Sequence, residues 1–106
     1  MERLQILVLA SNLISEIPKQ IFKSNSRLEV LQMDHNSVKK IQAKTFEGSR
    51  NLESLVLSNN EINEIEPNAF EGLISIREIN LSNNNLAKID QKAFQKLSNF
   101  VKVSIL

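Results

Sequence analysis

His35 is the single histidine of this sequence, and Asp34 precedes it directly. A 24-residue spacing, developed below, makes Ser11 and Asn59 its lateral neighbours. A hydroxyl, an imidazole and a carboxylate are the raw material of a hydrolytic nucleophile, in which the imidazole takes the hydroxyl proton and the carboxylate fixes the tautomer. That chemistry also needs oxyanion donors and an enclosed pocket. Asp34 adjoins His35 along the chain, and both fall on what reads as an open sheet, so the expectation is a surface polar histidine and no catalytic site. Metal binding has no support either: one His, scattered carboxylates and no cysteine supply no recognised ligand spacing. No cofactor is expected.

The asparagines carry a different chemistry. Asn12, Asn36, Asn60 and Asn84 return at one phase of the repeat. An amide side chain donates and accepts at once, so a column of them can satisfy backbone groups freed where the chain turns. With only two Gly and two Pro in the sequence, such a ladder is how the chain is expected to turn. Asn80-Leu81-Ser82 is an N-glycosylation acceptor by pattern; a glycan on Asn80 would obstruct the outward strand face, so either the site is unused or ligands bind elsewhere, and it reads as a chance match.

These residues must be positioned by a repeating unit. Leu4, Leu28, Leu52, Ile76 and Phe100 are spaced 24 residues apart, and Leu7, Leu31, Leu55, Ile79 and Val103 follow at the same interval. Leu9, Met33, Leu57, Leu81 and Ile105 come next; after the asparagines run Ile14, Val38, Ile62 and Leu86, then Ile17, Ile41, Ile65 and Ile89, with Phe22, Phe46, Phe70 and Phe94 closing each copy. The reading is one domain over residues 1–106, with copies starting at Leu4, Leu28, Leu52 and Ile76 and a partial one at Phe100. Leu7 and Leu9 are two apart, which is strand periodicity with Val8 pointing outward. One strand per copy in constant phase predicts a single parallel sheet. The opposite side reads as short helical or 3₁₀ turns, clearest at Pro67–Glu71 and at Asp90–Leu97 with its acidic start and basic end, and least clear at Pro18–Phe22.

The outward strand positions then form lateral columns. Ile6, Val8 and Val30 gather into an exposed apolar cluster, with Glu29, Asp34 and Glu53 beside it and Gln32, Val56 and Arg77 farther along. An apolar patch with a charged rim suits protein contact; β-branched residues suiting strands is the plainer explanation. Away from this face, Lys19, Lys23, Arg27, Lys39, Lys40 and Lys44 make the first half basic and Glu61, Glu64, Glu66 and Glu71 make the following copy acidic, which reads as a solvated rim.

Composition closes several classes. Thirteen Lys and Arg against twelve Asp and Glu give a net charge of +1, which argues against a nucleic-acid partner or an anionic membrane surface. No apolar run is long enough to insert in a membrane, and the start of the chain lacks the regions of a secretory signal.

The pattern LxxLxLxxNxLxxI…F, as in Leu52-Glu53-Ser54-Leu55-Val56-Leu57-Ser58-Asn59-Asn60-Glu61-Ile62, resembles the leucine-rich repeat family. The 24-residue form with its late Phe is similar to the repeats of extracellular members such as Toll-like receptors, slit-type proteins and insect immune receptors. The resemblance implies an α/β leucine-rich repeat solenoid, a right-handed horseshoe arc with its parallel sheet on the concave side. It further implies a non-catalytic module that recognises a protein ligand through that face, in a secreted or cell-surface glycoprotein of innate-immune type; a cytoplasmic setting stays open. The alternative is a spacer, or a self-association segment acting through uncapped ends. Two features depart from the family. Asn25 and Ser49 stand where Leu73 and Leu97 fit, predicting looser first turns, and the cysteine-rich caps of extracellular members are missing, so the chain reads as a piece of a longer solenoid.

Overall fold

In a computed structural model the chain folds as stacked coils, and the structure describes residues 5–17, 19–86, 91–95, 97–98 and 100–106. Leu4, Pro18, Ile89 and Asp90, to which the sequence assigned roles, lie outside them. The elements in order are β1 (Ile6–Val8), α1 (Lys19–Ser24), β2 (Val30–Gln32), β3 (Lys40–Ile41), β4 (Ser54–Val56), β5 (Glu64–Ile65), β6 (Glu78–Asn80), the 3₁₀ turn η1 (Gln91–Phe94) and β7 (Lys102–Ser104).

Constant phase in the sequence becomes constant register in space. β1, β2, β4, β6 and β7 form one parallel sheet in that order, with Leu7 opposite Leu31, Leu31 opposite Leu55, Leu55 opposite Ile79 and Ile79 opposite Val103. Alternation along each strand turns those residues inward, where Leu31, Leu55 and Ile79 are fully buried. The core continues through Leu28, Met33, Val38, Leu52, Leu57 and Ile62 to the opposite wall. There Phe22, Phe46, Phe70 and Phe94 form a continuous ring column, with successive centroids 5.1, 5.9 and 5.5 Å apart. Phe22, Phe46 and Phe70 are essentially buried, and truncating such a ring to Ala costs about 3–5 kcal/mol.

The sequence anticipated one sheet, and the structure has a second. β3 and β5 pair in parallel, Lys40 opposite Glu64 and Ile41 opposite Ile65, on the path from the asparagine turn to the Phe wall. Ile41 and Ile65 suit this strand, because β-branched residues favour an extended backbone with one side in the core, whereas Ile17 at the same phase is buried outside any strand.

The opposite side departs from expectation in three places. Residues 67–72 are hydrogen-bonded turns rather than a helix: Asn68 takes φ 65°, and its counterpart Lys44 φ 58°, a left-handed geometry that interrupts any helical run. The segment read as least clear holds an α-helix, α1, whereas the described residues of the Asp90–Leu97 segment hold the 3₁₀ turn η1 over Gln91–Phe94. Nor are the first turns loose. Asn25 and Ser49 are completely buried, and their carbonyls accept from Leu28 N (3.0 Å) and Leu52 N (3.3 Å). Gly48 follows Phe46 at φ 98°, where a Cβ would meet the Phe22 carbonyl oxygen at 3.2 Å, so a glycine closes this turn against the preceding coil.

Candidate functional site: the concave sheet face

The outward residues of the five-stranded sheet form a surface whose columns follow the register. Ile6 lies against Val30, Val30 against Ser54 and Ser54 against Glu78; Val8 lies against Gln32, Gln32 against Val56 and Val56 against Asn80. Ile6 and Val8 are 59% and 58% exposed, while Val30, Gln32 and Val56 are half-buried. The register sets Ile6 against Val30, with Val8 two residues along β1 and Val56 on the far side of the polar Gln32.

Charged groups border it at both strand ends. At the starts, the Gln5 amide donates to Glu29 Oε2 at 3.1 Å, and Arg77 Nε stands 3.5 Å from Glu53 Oε1. A hollow of about 300 Å³ opens there, lined by Gln5, Arg27, Glu29, Asn51, Glu53 and Ser75. At the other end, Asp34 Oδ2 is 2.9 Å from His35 Nδ1.

His35 owes its position to backbone geometry. Ser11, His35, Asn59 and Asn83 all have positive φ, at 59°, 59°, 56° and 57°. This column bends each coil out of the sheet, and its amides bind the next coil: Ser11 N to Asp34 O at 3.0 Å, His35 N to Ser58 O at 3.1 Å and Asn59 N to Ser82 O at 2.9 Å. Asn and His are among the side chains that tolerate left-handed backbone. The signal was in the sequence, as a column of small and polar residues, but its meaning is conformational.

The asparagine ladder holds this turn in place. Asn60 Oδ1 accepts from Val38 N at 3.1 Å, and its Nδ2 donates to Met33 O, Leu57 O and Ser58 O at 3.0, 3.1 and 3.2 Å. Asn36 and Asn84 repeat the set one coil back and one coil on: Oδ1 takes Ile14 N or Ile62 N, and Nδ2 reaches Leu9 O or Leu57 O. Each amide thus ties its own coil to the preceding one. Asn36 and Asn60 are buried and Asn84 half-buried, whereas Asn12 is exposed and, among the described residues, donates to Leu9 O and Ala10 O of its own coil.

This combination of repeat, register and ladder is matched by a family model, described as leucine rich repeat, over residues 2–62, 31–86 and 50–103. The chain belongs to the leucine-rich repeat family. A comparison with curated protein sequences found no match. Among solved structures 69 chains match. One is the crystal structure of a TLR13–ssRNA13 complex, similar at a TM-score of 0.89 and 31% identity over 95% of this chain. This chain spans only 14% of the length of that TLR13 chain.

Two further features of this leucine-rich repeat chain concern sites. Asn80, in the glycosylation pattern, is half-buried on β6, and its Oδ1 accepts from Ser82 N at 3.0 Å. On the flank, the charges read as separate basic and acidic copies are partly brought together. Lys40 Nζ lies 3.2 Å from Glu66 Oε2 and 3.7 Å from Glu64 Oε2, and Glu66 Oε1 accepts from Ala43 N at 2.8 Å. The Glu66 hydrogen bond, with the Glu64 and Glu66 charges beside it, raises the Lys40 ammonium above its ordinary 10.5. Next to it, a cleft of about 760 Å³ is lined by Ser15, Glu16, Ile17, Lys39, Lys40, Gln42 and Thr45. The 24-residue spacing that sets Lys40 opposite Glu64 was the available signal.

Proposed function

We propose that this leucine-rich repeat chain is a non-catalytic recognition module that takes a protein ligand on its concave sheet. The observation that carries the reading is the cluster of Ile6, Val8, Val30 and Val56, apolar side chains held outward on a hydrogen-bonded sheet and bordered by charge. A surface fixed by the repeat scaffold loses little ordering entropy on binding. The TLR13 chain was solved with ssRNA13. In this chain, by contrast, the outward columns of the first three copies carry Glu29, Asp34 and Glu53 and no lysine or arginine, which disfavours a polyanion on electrostatic grounds. The TLR13 likeness supports placing the parent protein among secreted or cell-surface receptor ectodomains. No described helix is long and apolar enough to cross a membrane.

The test is affinity capture followed by mass spectrometry, comparing the parent chain, a Val8→Glu/Val30→Glu double variant and a Glu47→Lys control on the opposite side. We expect partners recovered by parent and control to fall by about tenfold or more with the double variant, the equivalent of losing a small central contact patch. Equal recovery by a well-folded double variant rejects the concave reading. A second reading, self-association, draws on Phe100 and Leu106, 94% and 102% exposed beside edge strand β7. Sedimentation velocity separates the two, since a monomer at high concentration rules out self-association.

A further inference from the structure

Resting on the concave reading just given, we propose that the first three copies form a docking strip for a basic amphipathic helix of a partner protein. The floor of the strip is Ile6, Val8, Val30 and Val56, interrupted by Gln32. Carboxylates border it at both strand ends, two at the starts and one at the far end, where Asp34 stands between Ala10 and Ser58. Glu29 and Glu53 stand side by side at the strand starts, and Asp34 stands at the far end of β2.

Charge accounting fixes the sign of the partner. The neighbour of Glu29 is the neutral Gln5 amide, and that of Asp34 is the His35 imidazole; Glu53 alone has a cation, Arg77, at 3.5 Å. Among the described residues, Arg27 sits at the lip of the hollow by Glu29, and Lys102 lies outward on β7, opposite Glu78 and beyond the first three copies. A Lys or Arg arriving at Glu29 or Asp34 meets a carboxylate with no ammonium or guanidinium bound among the described residues.

Geometry fixes the form. Glu29 and Asp34 are five residues apart on one extended segment, roughly 16 Å at about 3.3 Å per residue. A helix with its side chains is about 10–12 Å across, so one laid across the strands fits between these carboxylates. Neighbouring strands are about 4.8 Å apart, close to the helical pitch of about 5.4 Å, so basic residues one turn apart can address Glu29 and Glu53 in succession. A helix presents an apolar stripe with Lys or Arg along both edges of that stripe, whereas an extended strand sends alternate residues to opposite faces. An apolar floor bordered by Glu29 and Glu53 on one side and Asp34 on the other is the complement of the helical pattern.

The test is an NMR titration of the ¹⁵N-labelled chain with a synthetic amphipathic helix of Leu and Lys, with the same peptide carrying Glu for Lys, and with oligouridine RNA. We expect the Lys peptide to move the amides of Val30, Gln32 and Val56, its affinity to fall about tenfold in Glu29→Gln/Asp34→Asn/Glu53→Gln, and to fall again as salt rises in the unmodified chain. The salt series keeps the outcome readable if the triple variant is unstable. Binding of the Glu peptide as tight as that of the Lys peptide, or affinity indifferent to both salt and neutralisation, overturns the basic partner and leaves the concave reading standing. Shifts confined to the opposite side overturn both. RNA binding to the same amides more tightly than the Lys peptide overturns a protein occupant.

Discussion

At the scale of single residues, the side chains that look most chemical serve the backbone. Asn60 binds four backbone groups with one buried amide; removing it leaves the Val38 amide unpaired and takes one of two bonds from Met33 O, Leu57 O and Ser58 O, which keep Asn36 Nδ2, Asn84 Nδ2 and His35 N, a combined cost of up to about 3 kcal/mol. Asn12 is exposed and serves fewer. Asn60→Ala is therefore expected to lower stability by about 3 kcal/mol and Asn12→Ala by less than about 1 kcal/mol, measured by urea denaturation. His35 gives a second contrast. Its φ of 59° makes a β-branched replacement expensive, about 1–2 kcal/mol, while glycine accepts the geometry. We expect His35→Val to shift the urea midpoint down and His35→Gly to leave it nearly unchanged. A reversed order would show that the imidazole itself, through Asp34, holds the turn.

At the scale of elements, the pairing of β3 with β5 is an unforeseen addition, and it joins coils through charge as well as hydrogen bonds. Lys40 is held above 10.5 by Glu66, with Glu64 beside it. A lysine whose folded value exceeds its unfolded one stabilises fully below the unfolded value, and that increment is lost as pH rises through the higher folded value. The chain is therefore expected to lose stability in the alkaline range above 10.5, with Lys40→Met showing a smaller loss over the same interval. The comparison is a urea midpoint at neutral and at strongly alkaline pH. Because the pair is exposed, added salt should shrink the difference. The opposite wall obeys a different constraint, since left-handed Lys44 and Asn68 leave turns, at Asn68 where the preceding proline suggested the start of a helix.

At the scale of the whole molecule, each coil touches only its neighbours, so stability is a sum of coil and interface contributions. Leu31, Leu55 and Ile79 are fully buried, whereas Leu7 and Val103 on the outer strands are only partly covered. In the isolated 106-residue chain, hydrogen exchange should therefore protect the amides of Leu31 and Leu55 at least about tenfold more than those of Leu7 and Val103, the equivalent of about 1.4 kcal/mol. Uniform protection would mean that the coils open as one unit. The docking strip spans this gradient: Val30 and Val56 lie in the best-supported coils, and Ile6 and Val8 in an outer one.

The sequence by itself determined the coil, the parallel sheet, the asparagine ladder and the order of the outward columns, because a repeat of fixed length admits one register and a period of two assigns each side chain to a face. It could not tell that His35 stands in a left-handed turn, that Lys40 closes on Glu64 and Glu66, or that Asn25 and Ser49 are buried. Those outcomes depend on how far successive coils shift and rotate as the Phe column packs, and spacing along the chain leaves both quantities open. His35, which raised the question of catalysis, was legible as a position but not as a conformation. The tertiary structure made it one of the residues that turn the chain out of the sheet, and left apolar and acidic groups beside it on the outward face.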